Sequence, residues 1–173
     1  MTERMIRGDD DGRGGHSLRT GVVAMITGGS SGSGRELART LTGWGWAIVI
    51  VYLEDQSTAD AAVAEMLAAE GNVVAVRADL ADELDVQRLL AESNAAFGGV
   101  DVIVHTTRGK ASLLYEHAAR HVRPRGAIVS LHGAGTVSPA IAALMRERGI
   151  SVRRAPAGEV VSLLDSWRRQ ATG

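Results

Sequence analysis

Apolar and polar residues follow a repeated order along this chain, in which short apolar runs alternate with longer amphipathic stretches. Six runs rich in β-branched residues predict buried strands, at 22–26, 47–53, 73–77, 100–105, 127–131 and 150–153. The stretches that follow have apolar residues at helical spacing and predict helices, at 34–43, 58–69, 83–97, 112–122, 139–149 and 159–169. The pattern therefore predicts strand–helix units whose successive strands are parallel.

This order of elements predicts an α/β fold with a Rossmann-like, doubly wound parallel sheet. We expect about six strands in the order 3-2-1-4-5-6, helices on both faces, and a ligand at the carboxyl ends of the strands beside the reversal between strands 1 and 4. Residues 1–20 lack periodicity and apolar content, which predicts a flexible N-terminal tail. Residues 21–173 are expected to form a single Rossmann-like dinucleotide-binding domain.

The first strand runs directly into a glycine-rich turn and a helix, and this context gives a glycine motif its meaning. Residues 27–34 have the sequence T-G-G-S-S-G-S-G. Gly28 is expected to permit a tight turn, Gly32 to let the backbone approach a pyrophosphate, and Gly34 to let the helix pack on the strand. The amides and the dipole of the first helical turn favour a phosphate. A glycine-rich turn without a ligand is the alternative interpretation.

The composition of the chain excludes several kinds of partner and of functional site. The chain has 173 residues, 45% of them hydrophobic, and a net charge of −1, which fits a globular domain and gives no reason to expect nucleic acid or an anionic membrane as a partner. The absence of cysteine excludes disulfides, thiol catalysis and thiolate metal sites, and we expect no metal. No apolar run reaches the roughly 18 residues of a membrane span. Without a secretory h-region, a cytoplasmic location is expected.

At the glycine turn the sequence resembles the short-chain dehydrogenase/reductase family. The family's turn, T-G-x-x-x-G-x-G, is matched here by Thr27, Gly28, Gly32 and Gly34. The resemblance runs from about residue 22 to residue 158. It implies an oxidoreductase that binds a nicotinamide dinucleotide, NAD or NADP. The further cofactor contacts that it implies are Tyr52, Asp79, Leu80 and Thr106. The hydroxyls of Ser30, Ser31 and Ser33 are expected to add hydrogen-bond donors at the turn.

Tyr52 is the position expected to select between NAD and NADP, and Asp79 is the position expected to contact the adenine. An acidic residue at the end of strand two would bind the ribose 2′-hydroxyl and repel a 2′-phosphate. Tyr52 takes that place, with Glu54 and Asp55 close behind, so the choice stays open and NADP is slightly favoured. Asp79 matches the family's aspartate at the adenine, although a turn residue before a helix is the alternative.

The family's catalytic residues have no counterparts in the expected places. The family uses a serine after strand five and then Tyr-x-x-x-Lys, in which the tyrosinate is the acid/base. Alignment on residues 126–129 places His132 at the serine, and no Tyr-x-x-x-Lys occurs in the chain. Tyr115 lies five residues after Lys110, the only lysine in the chain. Five residues are more than one helical turn, so the two side chains would not lie on the same face of a helix. His132 is the candidate catalytic residue, with an exposed or structural histidine as the alternative.

A second departure follows strand four, where the family shows N-N-A-G. Here the stretch is His105-Thr106-Thr107-Arg108, and Arg108 is expected either to obstruct the cofactor or to reach a phosphate.

Two functional hypotheses remain. The first is an oxidoreductase with a degenerate active site, which uses His132 or a residue from a partner subunit. The second is a non-catalytic cofactor-sensing or interaction module derived from the family. The shortened helix after strand five predicts a dimer or smaller rather than the family's common tetramer. The expected partners are a second copy, in a homodimer, or a complete relative, in a hetero-assembly.

Overall fold

The computed structural model describes residues 21–133 and 137–171, so the predicted tail at 1–20 lies outside the described residues. Within these ranges six strands form one parallel sheet in the order β3-β2-β1-β4-β5-β6, which confirms the predicted fold and strand order. The strands are β1 Val23–Thr27, β2 Ala47–Tyr52, β3 Asn72–Arg77, β4 Val100–His105, β5 Val122–Ser130 and β6 Ser151–Arg154. The helices are α1 Gly32–Gly43, α2 Gln56–Ala68, α3 Glu83–Phe97, α4 Ser112–His121, α5 Pro139–Glu147 and α6 Ala157–Ala171.

The sheet divides the core into two apolar layers, because successive side chains of a strand point to opposite faces. Met25 and Val49 belong to the layer covered by α3, α4 and α5. Ile26 and Ile48 belong to the layer covered by α1, α2 and α6. Both layers are closed by buried apolar side chains, which explains why the strands read as continuous apolar runs in the sequence.

The start of β5 differs from the prediction. Helix four was expected to reach Val122 and the strand to begin at residue 127, yet β5 begins at Val122, which pairs with Val100. The register shifts between Val100 and Val102, and Arg125 adopts a left-handed φ of 67° there. Pro124 lies in this irregular part of β5, where its missing N–H leaves no regular ladder bond broken.

The other boundaries agree with the predictions to within about two residues. Helices α1, α2 and α6 begin two residues earlier than expected, and β6 is displaced by one residue. Helix α3 is capped by Asp82, whose side chain accepts a hydrogen bond from the Asp85 amide. Such one- or two-residue differences are normal at element ends.

Helix α1 packs so closely on the preceding turn that Gly34 cannot carry a side chain without a backbone shift. A Cβ at Gly34 would lie 2.2 Å from the Gly28 carbonyl oxygen. We expect Gly34→Ala to lower the free energy of unfolding by about 1–3 kcal/mol through this overpacking. Urea denaturation followed by circular dichroism measures the loss.

Gly43→Ala is the matched control, because it makes the same change in the same helix with no heavy atom within 4 Å of the new Cβ. It should leave stability unchanged or raise it by up to about 1 kcal/mol. Equal free energies of unfolding for the two variants would contradict the packing argument.

Candidate functional site

The glycine turn leaves open space in front of helix α1. Gly28 and Gly32 both have left-handed φ angles, 72° and 52°. The Gly28 amide donates to the Val51 carbonyl at 2.9 Å, which ties the turn to β2. A Cβ at Gly28 would lie 2.7 Å from the Thr106 hydroxyl oxygen, whereas one at Gly32 would meet no heavy atom within 4 Å. The turn is therefore tight on its inner side and unobstructed at Gly32.

The first turn of α1 has unsatisfied backbone amides. Helices α2, α3 and α5 are capped by the side chains of Asp55, Asp82 and Ser138, but Ser31 at the start of α1 makes no cap hydrogen bond. Arg35 is the first residue of α1 whose amide has an acceptor, and that acceptor is the Ser31 carbonyl oxygen. The amides of 32–34 donate to no atom of the described residues. An anion placed here would receive these hydrogen bonds and the positive end of the helix dipole.

A cleft of about 250 Å³ adjoins this turn on the α1 and α6 face of the sheet. Its lining comes from α1, the carboxyl ends of β4 and β5, and the start of α6. The lining residues are Ser33, Glu36, Leu37, Thr40, Thr106, Leu131, Ala157, Gly158, Val160 and Val161. The cleft thus has apolar walls with a few polar groups, as is typical of small-molecule sites.

Strand alternation separates the cleft from a second, buried polar cluster at the same edge. Thr106 and Leu131 line the cleft. His105 and Ser130, one residue earlier in β4 and β5, are register partners and point to the α4 face. Thr27 of β1 pairs with His105 in the same row, so three polar residues end three neighbouring strands on one face.

His105 joins the turn to the loop after β4. Its Nδ1 lies 2.7 Å from the Thr27 hydroxyl oxygen, and its Nε2 lies 3.0 Å from the Gly109 carbonyl oxygen. Because a carbonyl can only accept, Nε2 carries the proton and Nδ1 accepts from the Thr27 hydroxyl. Thr106 adds a hydrogen bond from its hydroxyl to the Thr27 carbonyl, at 2.6 Å. Burial lowers the pKa of His105, opposed by the hydrogen bond to Gly109, and the charge of His132 lowers it further.

Tyr115 on α4 is enclosed in the same cluster. Its ring meets the His105 ring edge-on at a centroid distance of 6.1 Å. Burial raises the pKa of Tyr115, and the neighbouring Ser130 hydroxyl partly opposes that rise. The two hydroxyls do not form a hydrogen bond of normal geometry, and neither has another partner among the described residues. The Tyr115 hydroxyl is thus sealed from solvent on the face opposite the cleft.

The remaining predicted residues lie around the same edge. Ser31 is exposed beside Gly32, Ser30 is buried, and Tyr52 is half-buried at the end of β2. Asp79 holds its own turn, since its Oδ1 accepts from the Ala81 amide at 2.9 Å, and Leu80 beside it is half-buried. His132 is exposed after β5 and is not among the residues that line the cleft. Of the predicted site residues, the structure therefore places Ser33 and Thr106 on the cleft, whereas Ser30, Ser31 and His132 are not among its lining residues.

Neither a membrane-spanning helix nor a metal-binding cluster occurs among the described residues. They contain no helix long and apolar enough to cross a membrane. They also contain no group of three or more histidine or carboxylate side chains that could hold a metal ion.

Comparison with known proteins identifies the family. Residues 22–158 match the family profile described as short chain dehydrogenase. The chain belongs to the short-chain dehydrogenase family. A 3-oxoacyl-[acyl-carrier-protein] reductase of Synechocystis is 36% identical over 86 residues, which are 50% of this chain and 35% of that enzyme. An uncharacterized oxidoreductase of Bacillus subtilis is 37% identical over 90 residues, or 51% and 30% of the two chains. The chain thus spans about a third of the length of the curated relatives that it matches.

Solved structures of short-chain dehydrogenases share the fold. A short-chain dehydrogenase from Burkholderia cenocepacia in complex with NADP has a TM-score of 0.65 and 25% identity, and the match covers 80% of this chain and 74% of that one. One from Oenococcus oeni has a TM-score of 0.67 and 20% identity, over 82% and 78%.

Sequence reasoning on this dehydrogenase chain missed several residues at the carboxyl edge. Leu131 could have been placed beside Thr106, because the predicted strand order makes β4 and β5 neighbours. The same order puts His105 beside Thr27. No sequence signal marks Val160 and Val161 of α6 as cleft walls, since their packing depends on where α6 lies on the sheet.

The buried His105 predicts a pH dependence of stability. Its pKa is lowered in the folded protein, so below the unfolded value of about 6.5 the unfolded chain binds a proton that the folded chain rejects. Stability should therefore be greatest above that pH and fall as the pH drops toward the folded pKa. Each pKa unit between the two states is worth about 1.4 kcal/mol.

Urea denaturation between about pH 7.5 and pH 5.5 measures this dependence. The stability of His105→Asn should fall less steeply with decreasing pH than that of the wild type, whatever its stability at neutral pH. The same slope in His105→Asn and the wild type would show that His105 titrates alike in both states.

Proposed function

We propose that this chain binds a nicotinamide dinucleotide at the carboxyl edge of its sheet, NADP(H) in preference to NAD(H), and that its active site is degenerate. The observation that carries the proposal is the set of unsatisfied amides at 32–34, in front of which Gly32 leaves open space. A diphosphate fits this place because it is an anion with several acceptor oxygens, and a helix N-terminus with a glycine turn offers donors without side-chain obstruction.

The cleft suits the other end of such a ligand. It begins at Ser33 beside the turn and runs past Thr106 and Leu131 to Gly158. Its polar entrance at Ser33 and Thr106 and its apolar walls on α6 would accept a flat, partly polar ring. A bound nicotinamide supplies or accepts a hydride; the residues of this chain would position it and shield it from water.

The preference for NADP rests on two supports. Tyr52 stands where an acidic residue would repel a 2′-phosphate, and it is half-buried beside the open edge. The relative from Burkholderia cenocepacia, with 25% identity, was solved in complex with NADP.

The degenerate active site follows from the positions of the proton-transfer groups. A general acid must lie within hydrogen-bond reach of the substrate oxygen. The Tyr115 hydroxyl is buried on the α4 face, whereas the cleft lies on the α1 and α6 face. His132, the predicted catalytic candidate, is exposed after β5 and is not among the residues that line the cleft.

A cofactor-sensing or interaction module is the second candidate function. The observation in its favour is the combination of an open phosphate turn with a sealed Tyr115. Assembly as a homodimer, or with a complete relative that contributes the missing groups, would reconcile this combination with oxidoreductase activity.

Gly32→Asp tests the phosphate site. The new carboxylate would stand in the open space before 32–34 and repel the diphosphate, so we expect NADPH binding to be abolished in calorimetric titrations. Gly32→Asn is the matched control, since it has the same shape and also tolerates a left-handed φ, and it should retain more affinity than Gly32→Asp. Equal affinity of Gly32→Asp and wild type would remove the ligand from this turn.

The isolated chain is expected to show no ordinary carbonyl reductase activity. A positioned acid/base with a suitable pKa contributes about 100- to 10,000-fold to such a reaction. No histidine, tyrosine or lysine is among the described residues that line the cleft, and its one carboxylate, Glu36, lies on α1. Oxidation of NADPH with a panel of ketones and aldehydes measures it.

If turnover appears, His132→Ala should remove it. Rapid NADPH oxidation that survives both His132→Ala and Tyr115→Phe would show that proton transfer is carried by a group we have not identified.

A further inference from the structure

Tyr52 and Arg77 lie side by side at the corner of the sheet where β2 and β3 end. They are register partners in this parallel pair, so their side chains leave the sheet on the same face. Ile50 and Ala75, two residues earlier in each strand, belong to the core layer covered by α1 and α2. Tyr52 and Arg77 therefore extend on the same face as the first turn of α1.

The guanidinium of Arg77 is exposed and makes no hydrogen bond or ion pair with the described residues. Other arginines at this end of the molecule are engaged: Arg35 and Arg39 both bind the Glu65 carboxylate, and Arg88 binds Asp85. The bonds to Glu65 join α1 to α2, and the bond between Arg88 and Asp85 lies within α3. Arg77 has no such role in the described part of the fold.

Asp85 is the acidic group whose charge interacts with Arg77, and it is already satisfied. Its carboxylate accepts from the Asp79 amide at 2.8 Å and from Arg88 at 2.7 Å, and these bonds lower the pKa of Asp85. Asp85 therefore does not need the Arg77 guanidinium as a further donor.

Of the two acidic residues after β2, Asp55 is already used by the cap of a helix and does not offer the diol contact that typifies NAD specificity. Asp55 caps α2, where it accepts from the Thr58 amide at 2.9 Å and from the Thr58 hydroxyl at 2.5 Å, and these bonds lower the pKa of Asp55. Its carboxylate is thus committed to the helix. Glu54 is exposed on the turn and is the remaining acidic group there.

We propose that Arg77 binds the 2′-phosphate of NADP(H) and is the residue that determines the preference for the phosphorylated dinucleotide. The assignment rests on the proposed function, because it places the adenosine end of the ligand at the ends of β2 and β3. A guanidinium offers a planar fork of donors that matches two phosphate oxygens, and an unpaired, exposed arginine can turn to meet them. The half-buried ring of Tyr52 supplies an apolar surface beside it without a negative charge.

The test compares NADPH with NADH by direct binding, using the fluorescence of the reduced nicotinamide. Arg77→Gln should weaken NADPH about 10- to 100-fold and leave NADH within about twofold, since hydrogen bonds to charged groups contribute on that scale. Arg77→Lys, which keeps the charge and loses the fork, should fall between. Arg120→Gln is the matched control, because it removes the same charge from an exposed position on α4, and it should leave both affinities unchanged.

Adenosine 2′,5′-bisphosphate and AMP provide a second comparison that does not involve the nicotinamide cleft. The bisphosphate should bind more tightly than AMP to the wild type, and Arg77→Gln should remove the difference. Glu54→Gln should not weaken either ligand.

The outcomes separate the two proposals. If the wild type binds both dinucleotides and Arg77→Gln leaves their affinity ratio unchanged, the Arg77 assignment is wrong while the proposed function stands. A wild type that prefers NADH to NADPH overturns the Arg77 assignment and the proposed preference for NADP(H), while the proposed dinucleotide site at the glycine turn stands. If the wild type binds neither dinucleotide, the proposed function is wrong and the assignment falls with it.

Discussion

The close approach of helix α1 to the turn before it is the constraint on which the rest of the site depends. Gly34 lies against the Gly28 carbonyl, and Gly28 lies against Thr106, so neither position has room for a side chain. This packing fixes the first turn of α1 at the carboxyl edge of β1 and directs its amides outward. Because Ser31 does not cap them, the helix start keeps the donors that an anion needs.

Because successive side chains of a strand point to opposite faces of the sheet, neighbouring residues at the ends of β4 and β5 lie in different environments. Thr106 and Leu131 face the open cleft, while His105 and Ser130, each one residue earlier, face the enclosed layer under α4. His105 links Thr27 to Gly109 and so holds the loop after β4 beside the glycine turn. The buried polar row supports the geometry of the turn, whereas the open cleft lies on the other face of the sheet.

The fold could be predicted from the sequence because the information is local: apolar runs, helical spacing and a glycine turn recur in a fixed order. The start of β5 could not, since Pro124 and the left-handed Arg125 interrupt the pattern that normally marks a strand. The hydrogen bond between Thr27 and His105 joins residues 78 apart and depends on which strands are neighbours. That the Arg77 guanidinium makes no hydrogen bond with the described residues could not be predicted either, because it depends on Asp55 and Asp85 binding other groups in the folded chain.

The amide resonances of the first turn of α1 test the central claim most directly. In a nitrogen–proton correlation spectrum, addition of NADP should shift Gly32, Ser33 and Gly34 strongly, because their N–H groups lack acceptors in the free protein. The amides of Thr58 and Asp85, which already bind the caps of α2 and α3, should move little. Saturable binding that leaves the amides of 32–34 unchanged would contradict the account, as would the absence of any shift at millimolar NADP.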